Sequence, residues 1–332
     1  QRGGSAIGVK VAADHIAFVE VGLDGSVLRS ASERFDASAS TVLGDLTALL
    51  QHFISGGTNT GGRLLGVGVG VPGSVDRQGE GLVVSPQLGW NRMPLGEALR
   101  RALQLPVLVE NNVNALAMAE RLYGTGRRHE SFLVVTIGTG VGAGIVIDGV
   151  VLRGAAGGAG EIGHTPVLED GPLCMCGNHG CLEAIIGEAA LVRTARERGI
   201  IGGTAGMPAL RAAADAGEAD AAALFGEAGH LLGRTLAGLV HTLDPELVIL
   251  LGEGTEAWPH WALGFEPAFR SSLLRARRGV GVVVETWQDE SWAQGAAALV
   301  LATPFDAEGV AGEQGRLVRE RLSSGANGRR GA

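Results

Sequence analysis

Glu161-Ile162-Gly163-His164, followed by Cys174-Met175-Cys176-Gly177-Asn178-His179-Gly180-Cys181-Leu182-Glu183, is the stretch from which the rest of this chain is read. It holds all three cysteines, spaced with a histidine as H-x9-C-x-C-x4-C. Three thiolates and one imidazole are a common tetrahedral set for structural zinc. Gly177 and Gly180 let a short loop curl around an ion, because glycine accepts positive φ. A disulfide would leave one thiol over, and a Cys174–Cys176 bridge would be strained by their closeness. The pattern therefore points to zinc held by His164, Cys174, Cys176 and Cys181. Two carboxylates, Glu161 and Glu183, stand beside it.

The surrounding chain has 332 residues, which suggests two domains of ordinary size. Its formal net charge of −8 argues against nucleic-acid binding through a basic patch. No apolar run approaches the ~20 residues that span a bilayer, and no charged-then-apolar leader opens the chain. Free thiols at metal spacing fit the reducing cytosol, so a cytoplasmic location is expected. Residues 6–22 read as an apolar strand pair around Asp14-His15, with Asp24-Gly25 as the next turn. Helix-period positions follow at 40–55. Leu64–Val71 is a buried-strand run, 95–103 is helical, and Val107-Leu108-Val109 is a short strand leading into a helix from Asn111. A second cycle opens at Phe132 with a strand, the turn Gly138-Thr139-Gly140-Val141-Gly142, and a returning strand to Ile147. Residues 183–240 read as helical, 247–251 and 280–286 as strands, and 292–301 as a last helix. The two cycles predict two α/β lobes with a ligand cleft between them. The expected division is residues 1–120 and 121–290, a helix at 291–305 returning to the first lobe, and a disordered tail over 306–332.

The block Glu-x-Gly-His…Cys-x-Cys-Gly-x-x-Gly-Cys-x-Glu, the turn at 138–142 and Val71-Pro72-Gly73-Ser74-Val75-Asp76 together resemble the ROK family of repressors and sugar kinases. The resemblance covers Ile7 to about Leu301. It implies the two-lobed actin-like fold of sugar kinases and ribonuclease H relatives. It also implies that Asn111, Asn112, Glu161, His164 and Glu183 meet sugar hydroxyls, with one His164 nitrogen on zinc and the other facing the sugar. Gly138-Thr139-Gly140 matches the second phosphate loop, although a plain hairpin turn fits the same residues. Gly252-Glu253-Gly254 lies where the family has its adenosine-side glycines. Gln87, Trp90 and Asn91 fall in a sugar-side segment and are expected to tune hydroxyl selectivity.

The departures from the family pattern set the functional expectation. Family kinases open on Asp-x-Gly-Gly-Thr; here the matching residues are Lys10-Val11-Ala12-Ala13-Asp14. The metal-organising aspartate is a lysine, and Asp14 places an anion where nucleotide phosphates would lie. The family's catalytic aspartate in Glu-Asn-Asp-x-Asn is Asn112 in Glu110-Asn111-Asn112-Val113-Asn114. A carboxamide cannot take a proton at useful pH. Sugar contacts kept while phosphoryl transfer is lost suit a sensor. The expected function is the sugar-binding portion of a ROK transcriptional repressor, kinase-inactive, with a monosaccharide or sugar derivative as ligand. A homodimer or homotetramer is implied, and operator DNA is met through a winged helix-turn-helix preceding Gln1, where the chain opens without Met. The alternatives are a sugar kinase with an unusual base such as Glu110, and a zinc-stabilised scaffold with no ligand.

Overall fold

The second glycine-rich strand explains how the first unit is layered. In the computed structural model, which describes residues 4–57, 62–76, 80–285, 290–305 and 311–327, β4 (Leu64–Val71) alternates glycine with valine. Val67, Val69 and Val71 enter a core with residues of β1 (Ser5–Val11), β2 (His15–Gly22) and α1 (Val42–Ser55). The glycine face receives a helix. A Cβ on Gly68 would lie 1.8 Å from the carbonyl oxygen of Ala296, and one on Gly8 1.8 Å from that of Ala293. Both strands thus pack helix backbone directly, which a side chain at either position would prevent.

The first unit comprises residues 1–128, 151–159 and 289–332. Its sheet runs in the order β3-β2-β1-β4-β8, with β3 at Val27–Arg34 and β8 at Val107–Asn111. β1, β2 and β3 form an antiparallel meander, while β1, β4 and β8 are parallel. A small sheet of β5 (Ser74–Val75), β6 (Leu82–Ser85) and β7 (Trp90–Pro94) is inserted before α2 (Leu95–Leu103). α3 (Asn112–Leu122) follows β8 without a break.

The second unit comprises residues 129–150 and 160–288. Its sheet order is β11-β10-β9-β12-β13, from β9 (Phe132–Ile137), β10 (Val141–Ile147), β11 (Val150–Val151), β12 (Leu247–Leu251) and β13 (Gly281–Val284). β9 and β10 are antiparallel and β9, β12 and β13 parallel, repeating the hairpin-then-parallel plan of the first sheet. The helices are α4 (Glu183–Ile186), α5 (Glu188–Glu197), α6 (Met207–Asp215), α7 (Ala219–Leu243) and α8 (Trp258–Ser272). The last two pack backbone to backbone. A Cβ on Gly264 would lie 1.8 Å from the Gly226 oxygen; along α8, Trp258 meets Phe265 edge-on with centroids 5.0 Å apart, and Phe265 stacks on Phe269 at 5.2 Å.

α9 (Glu290–Leu301) is the helix seated on Gly8 and Gly68. The disordered tail expected from residue 306 is corrected in part: α10 spans Gly312–Asn327. Val318 is buried and Arg321 donates to the Leu64 carbonyl oxygen at 3.0 Å, so this amphipathic helix is tied to the sheet. Residues 306–310 and 328–332 lie outside the described residues, as do Gln1 and Thr286.

Candidate functional site

The cysteine loop closes on itself before any ion is considered. Cys174 N–H donates to the Asn178 oxygen at 2.8 Å and Gly177 N–H to the Cys174 oxygen at 2.9 Å. Gly177 and Gly180 take φ of 90° and 69°, the left-handed region that favours glycine. A Cβ on Gly180 would also lie 1.7 Å from the Leu168 oxygen. The loop brings the Sγ atoms of Cys174, Cys176 and Cys181 and a His164 nitrogen within 4.8 Å of one another. Cys176 and Cys181 sulfurs are 3.6 Å apart, and Cys174 Sγ is 3.5 Å from His164 Nδ1. Tetrahedral thiolate bonds of ~2.3 Å set sulfurs ~3.8 Å apart, so the residues present fit such an ion. Burial, with the neighbouring thiols, pushes Cys181 up to about 12, and burial raises Cys174 as well. The Asn178 backbone N–H holds Cys176 below its ordinary value, and a metal ion bound here would take all three as thiolates.

His164 has its other ring nitrogen, Nε2, 3.8 Å from Glu161 Oε2. The cluster therefore fixes which imidazole edge faces the carboxylate. Burial raises the Glu161 carboxyl above its ordinary range, His164 opposes this, and the Glu183 charge adds to it. Glu183 opens α4, and its Oε2 accepts from Val141 N–H at 2.9 Å. Glu161, His164 and Glu183 thus form one group in the second unit.

In the first unit, Asn111 caps α3. Its Oδ1 accepts from Val113 N–H at 2.8 Å and Asn114 N–H at 3.2 Å, while its Nδ2 donates to the Gly73 oxygen at 2.8 Å. One amide hydrogen is left for a ligand. Asn112, half-buried, starts the helix beside Gly70, which pairs with Lys10 across the sheet. Lys10 Nζ lies 5.8 Å from the Trp292 ring centroid, in cation–π range. Asp14 is exposed and hydrogen-bonds His15 at 2.8 Å, which holds its carboxyl below the usual range, with help from Lys10. Glu110 is 7% exposed, and both its oxygens are engaged. Oε1 accepts from Asn111 N–H at 2.9 Å and Asn114 Nδ2 at 3.2 Å, and Oε2 from the Arg153 guanidinium.

The turn Gly138-Thr139-Gly140 joins β9 to β10 and is bracketed by carboxylates. Glu183 holds the amide of Val141, and a Cβ on Gly140 would meet Glu183 Oε2 at 3.1 Å. Glu253 Oε2 lies against Gly138, 2.2 Å from where a Cβ would be. Gly252, at φ 100°, brings this segment against the end of β9. The sequence marks Gly252-Glu253-Gly254 but gives no sign that the carboxylate between the glycines covers the other turn. Arg153 as the partner of Glu110 is likewise invisible in it. Trp90 is buried at 4% exposure and donates to the Ala37 oxygen at 2.8 Å, so this indole is core rather than a sugar-side selector, whereas Gln87 and Asn91 are exposed.

The fold of the two units is that of the actin-like sugar kinases. The ROK family model matches residues 6–303, and the chain belongs to the ROK family. It is 29% identical over 260 residues to the xylose repressor of Bacillus subtilis, covering 78% of this chain and 67% of that protein. It is 36% identical over 199 residues to the glucokinase of Thermotoga maritima, covering 56% of this chain and 63% of the enzyme. Among solved structures, a ROK transcriptional regulator homologous to the E. coli MLC protein matches with a TM-score of 0.84 at 25% identity, over 96% of this chain and 81% of that one. The ROK glucokinase of Streptomyces griseus, solved with glucose and AMPPNP, matches with a TM-score of 0.77 at 30% identity, over 89% of this chain and 99% of that one. The relatives thus include both repressors and kinases. Among the described residues no helix is long and apolar enough to cross a membrane.

Proposed function

We propose that this chain is the sugar-sensing portion of a ROK transcriptional repressor and does not transfer phosphate. The observation that carries this reading is the start of α3. Position 112 is a carboxamide, and the nearby acid, Glu110, has both oxygens committed to Arg153, Asn111 and Asn114. A kinase needs a carboxylate there to accept the hydroxyl proton.

The ligand is a monosaccharide or simple derivative; xylose and glucose are the first to try, given the repressor and glucokinase relatives. Asn111, Asn112, Glu161, His164 and Glu183 meet its hydroxyls. Zinc at His164, Cys174, Cys176 and Cys181 orients His164 through Nδ1. The DNA-binding segment lies outside this sequence, in keeping with alignments that cover about two thirds of the repressors' length, and the assembly is a homo-oligomer, as the family resemblance implies. A ROK glucokinase is the competing reading, favoured by 36% identity to the Thermotoga enzyme. The test is sugar affinity in Glu161→Ala and Glu183→Ala. Each is expected to weaken binding, and unchanged affinity in both would move the site elsewhere. In the complete regulator, sugar must change operator affinity and operator must change sugar affinity by the same factor.

A further inference from the structure

The cysteine loop presents its three sulfurs unequally. Cys174 is 5% exposed and Cys181 0%, while Cys176 is exposed. Among the described residues, none beyond its chain neighbours lies within 4 Å of where a Cβ on Gly177 would be, so the loop is open on the side next to Cys176. Cys176 Sγ is 3.6 Å from Cys181 Sγ, whereas Cys174 Sγ lies 3.5 Å from His164 Nδ1. An accessible sulfur with a buried sulfur at contact distance is the arrangement in which oxidation of the first is resolved by the second. The stretch between them, Gly177-Asn178-His179-Gly180, begins and ends in glycine at φ of 90° and 69°. It leaves room for a bridge, unlike the single residue between Cys174 and Cys176.

We propose that Cys176 is a peroxide-reactive modification site whose oxidation forms a Cys176–Cys181 disulfide and displaces zinc from the loop. The Cys176 thiolate attacks one oxygen of hydrogen peroxide; an S–O bond forms, the O–O bond breaks and hydroxide leaves. The Cys181 thiolate then attacks the sulfenic sulfur; an S–S bond forms, the S–O bond breaks and a second hydroxide leaves. Each thiolate gives up one electron, and the peroxide takes up both. The bridge removes two of the four ligands, leaving His164 and Cys174, and a structural zinc site needs all four. His164 then loses the ion that fixes which ring edge faces Glu161. This chemistry belongs to the loop alone and does not depend on the sugar-sensor reading.

The experiment treats the zinc-loaded chain with equimolar hydrogen peroxide. Zinc release is followed with a chromogenic chelator, and the cysteines are mapped by alkylation and mass spectrometry. Zinc is expected to leave in step with closure of a Cys176–Cys181 bridge, read as a peptide ~2 Da lighter in which Cys174 alone is alkylated. Dithiothreitol with added zinc is expected to restore the metal. Met175 is 61% exposed and is a second target for the oxidant, so Met175→Leu is included and is expected to release zinc as the parent does. Cys174→Ser keeps the reacting pair and is expected to form the same disulfide whether or not it holds metal. The proposal is overturned if zinc stays bound while Met175 is oxidised, if the disulfide of the parent includes Cys174, or if Met175→Leu abolishes the release.

Discussion

Replacing Arg153 with Met tests whether Glu110 is a structural acid or a reserve base. Arg153 sits in the short segment 151–159 that belongs to the first unit, and its guanidinium holds Glu110 Oε2. Glu110 is 7% exposed, so the substitution leaves a carboxylate in the interior with only the Asn111 and Asn114 donors. Breaking a buried pair in this way costs ~3–5 kcal/mol, and the two surviving hydrogen bonds place the effect near the lower end, ~3 kcal/mol. At ~2–4 °C per kcal/mol for a domain of this size, Tm should fall by roughly 6–12 °C. Urea unfolding of Arg153→Met, Glu110→Gln and the double variant gives the coupling directly. The double variant is expected to be more stable than Arg153→Met alone by at least ~1 kcal/mol, because it no longer buries an unpaired charge. An Arg153→Met variant within ~0.5 kcal/mol of the parent, the range of an ordinary surface change, would show that Glu110 does not depend on this pair. A double variant no more stable than Arg153→Met would show the same.

Cys176→Ser is expected to lose the bound metal, lower the melting temperature and weaken sugar binding together, since the same loop aims His164; elemental analysis and thermal shift check it. Gly68→Ala forces a Cβ into the Ala296 oxygen and should destabilise by ~1–3 kcal/mol or more in denaturant unfolding. Glu188 has a folded-state pKa above its unfolded value, so its favourable contribution is present at low pH and is lost as pH rises through the folded value. Glu188→Gln should therefore be more stable than the parent at neutral pH, and the advantage should disappear as pH falls below the ordinary carboxylate range; stability measured against pH decides this.

Much of this architecture is legible in the sequence because it rests on local pattern. The gathering of His164, Cys174, Cys176 and Cys181 into one cluster follows from residue type and spacing, and the two hairpin openings follow from apolar runs around tight turns. α8 is not legible: Gly264 and Pro267 read as breakers, yet Gly264 is where α7 approaches and Pro267 is carried inside the helix. β3 is equally hidden, because Val27–Arg34 is largely exposed and lacks the buried-strand signature. α10 has few apolar residues, so its polar, glycine-bearing sequence suggests a loose tail, while Val318 and Arg321 anchor it to a strand more than two hundred residues away. In the site, residue identities such as Asn112 and Lys10 are plain in the sequence. The commitment of Glu110 to Arg153 and the approach of the Glu253 carboxylate to Gly138 are long-range juxtapositions that only the fold creates.

The central claim is that a sugar is bound and not phosphorylated, and one sample can test both halves. The zinc-loaded chain is titrated with a panel of aldopentoses and aldohexoses by calorimetry, then supplied with Mg-ATP and the best-binding sugar in a coupled assay for ADP. The account expects saturable binding of at least one sugar at one site per chain with no ADP above background. Turnover in the ordinary enzyme range of ~1–10³ per second would contradict it and make the chain a kinase.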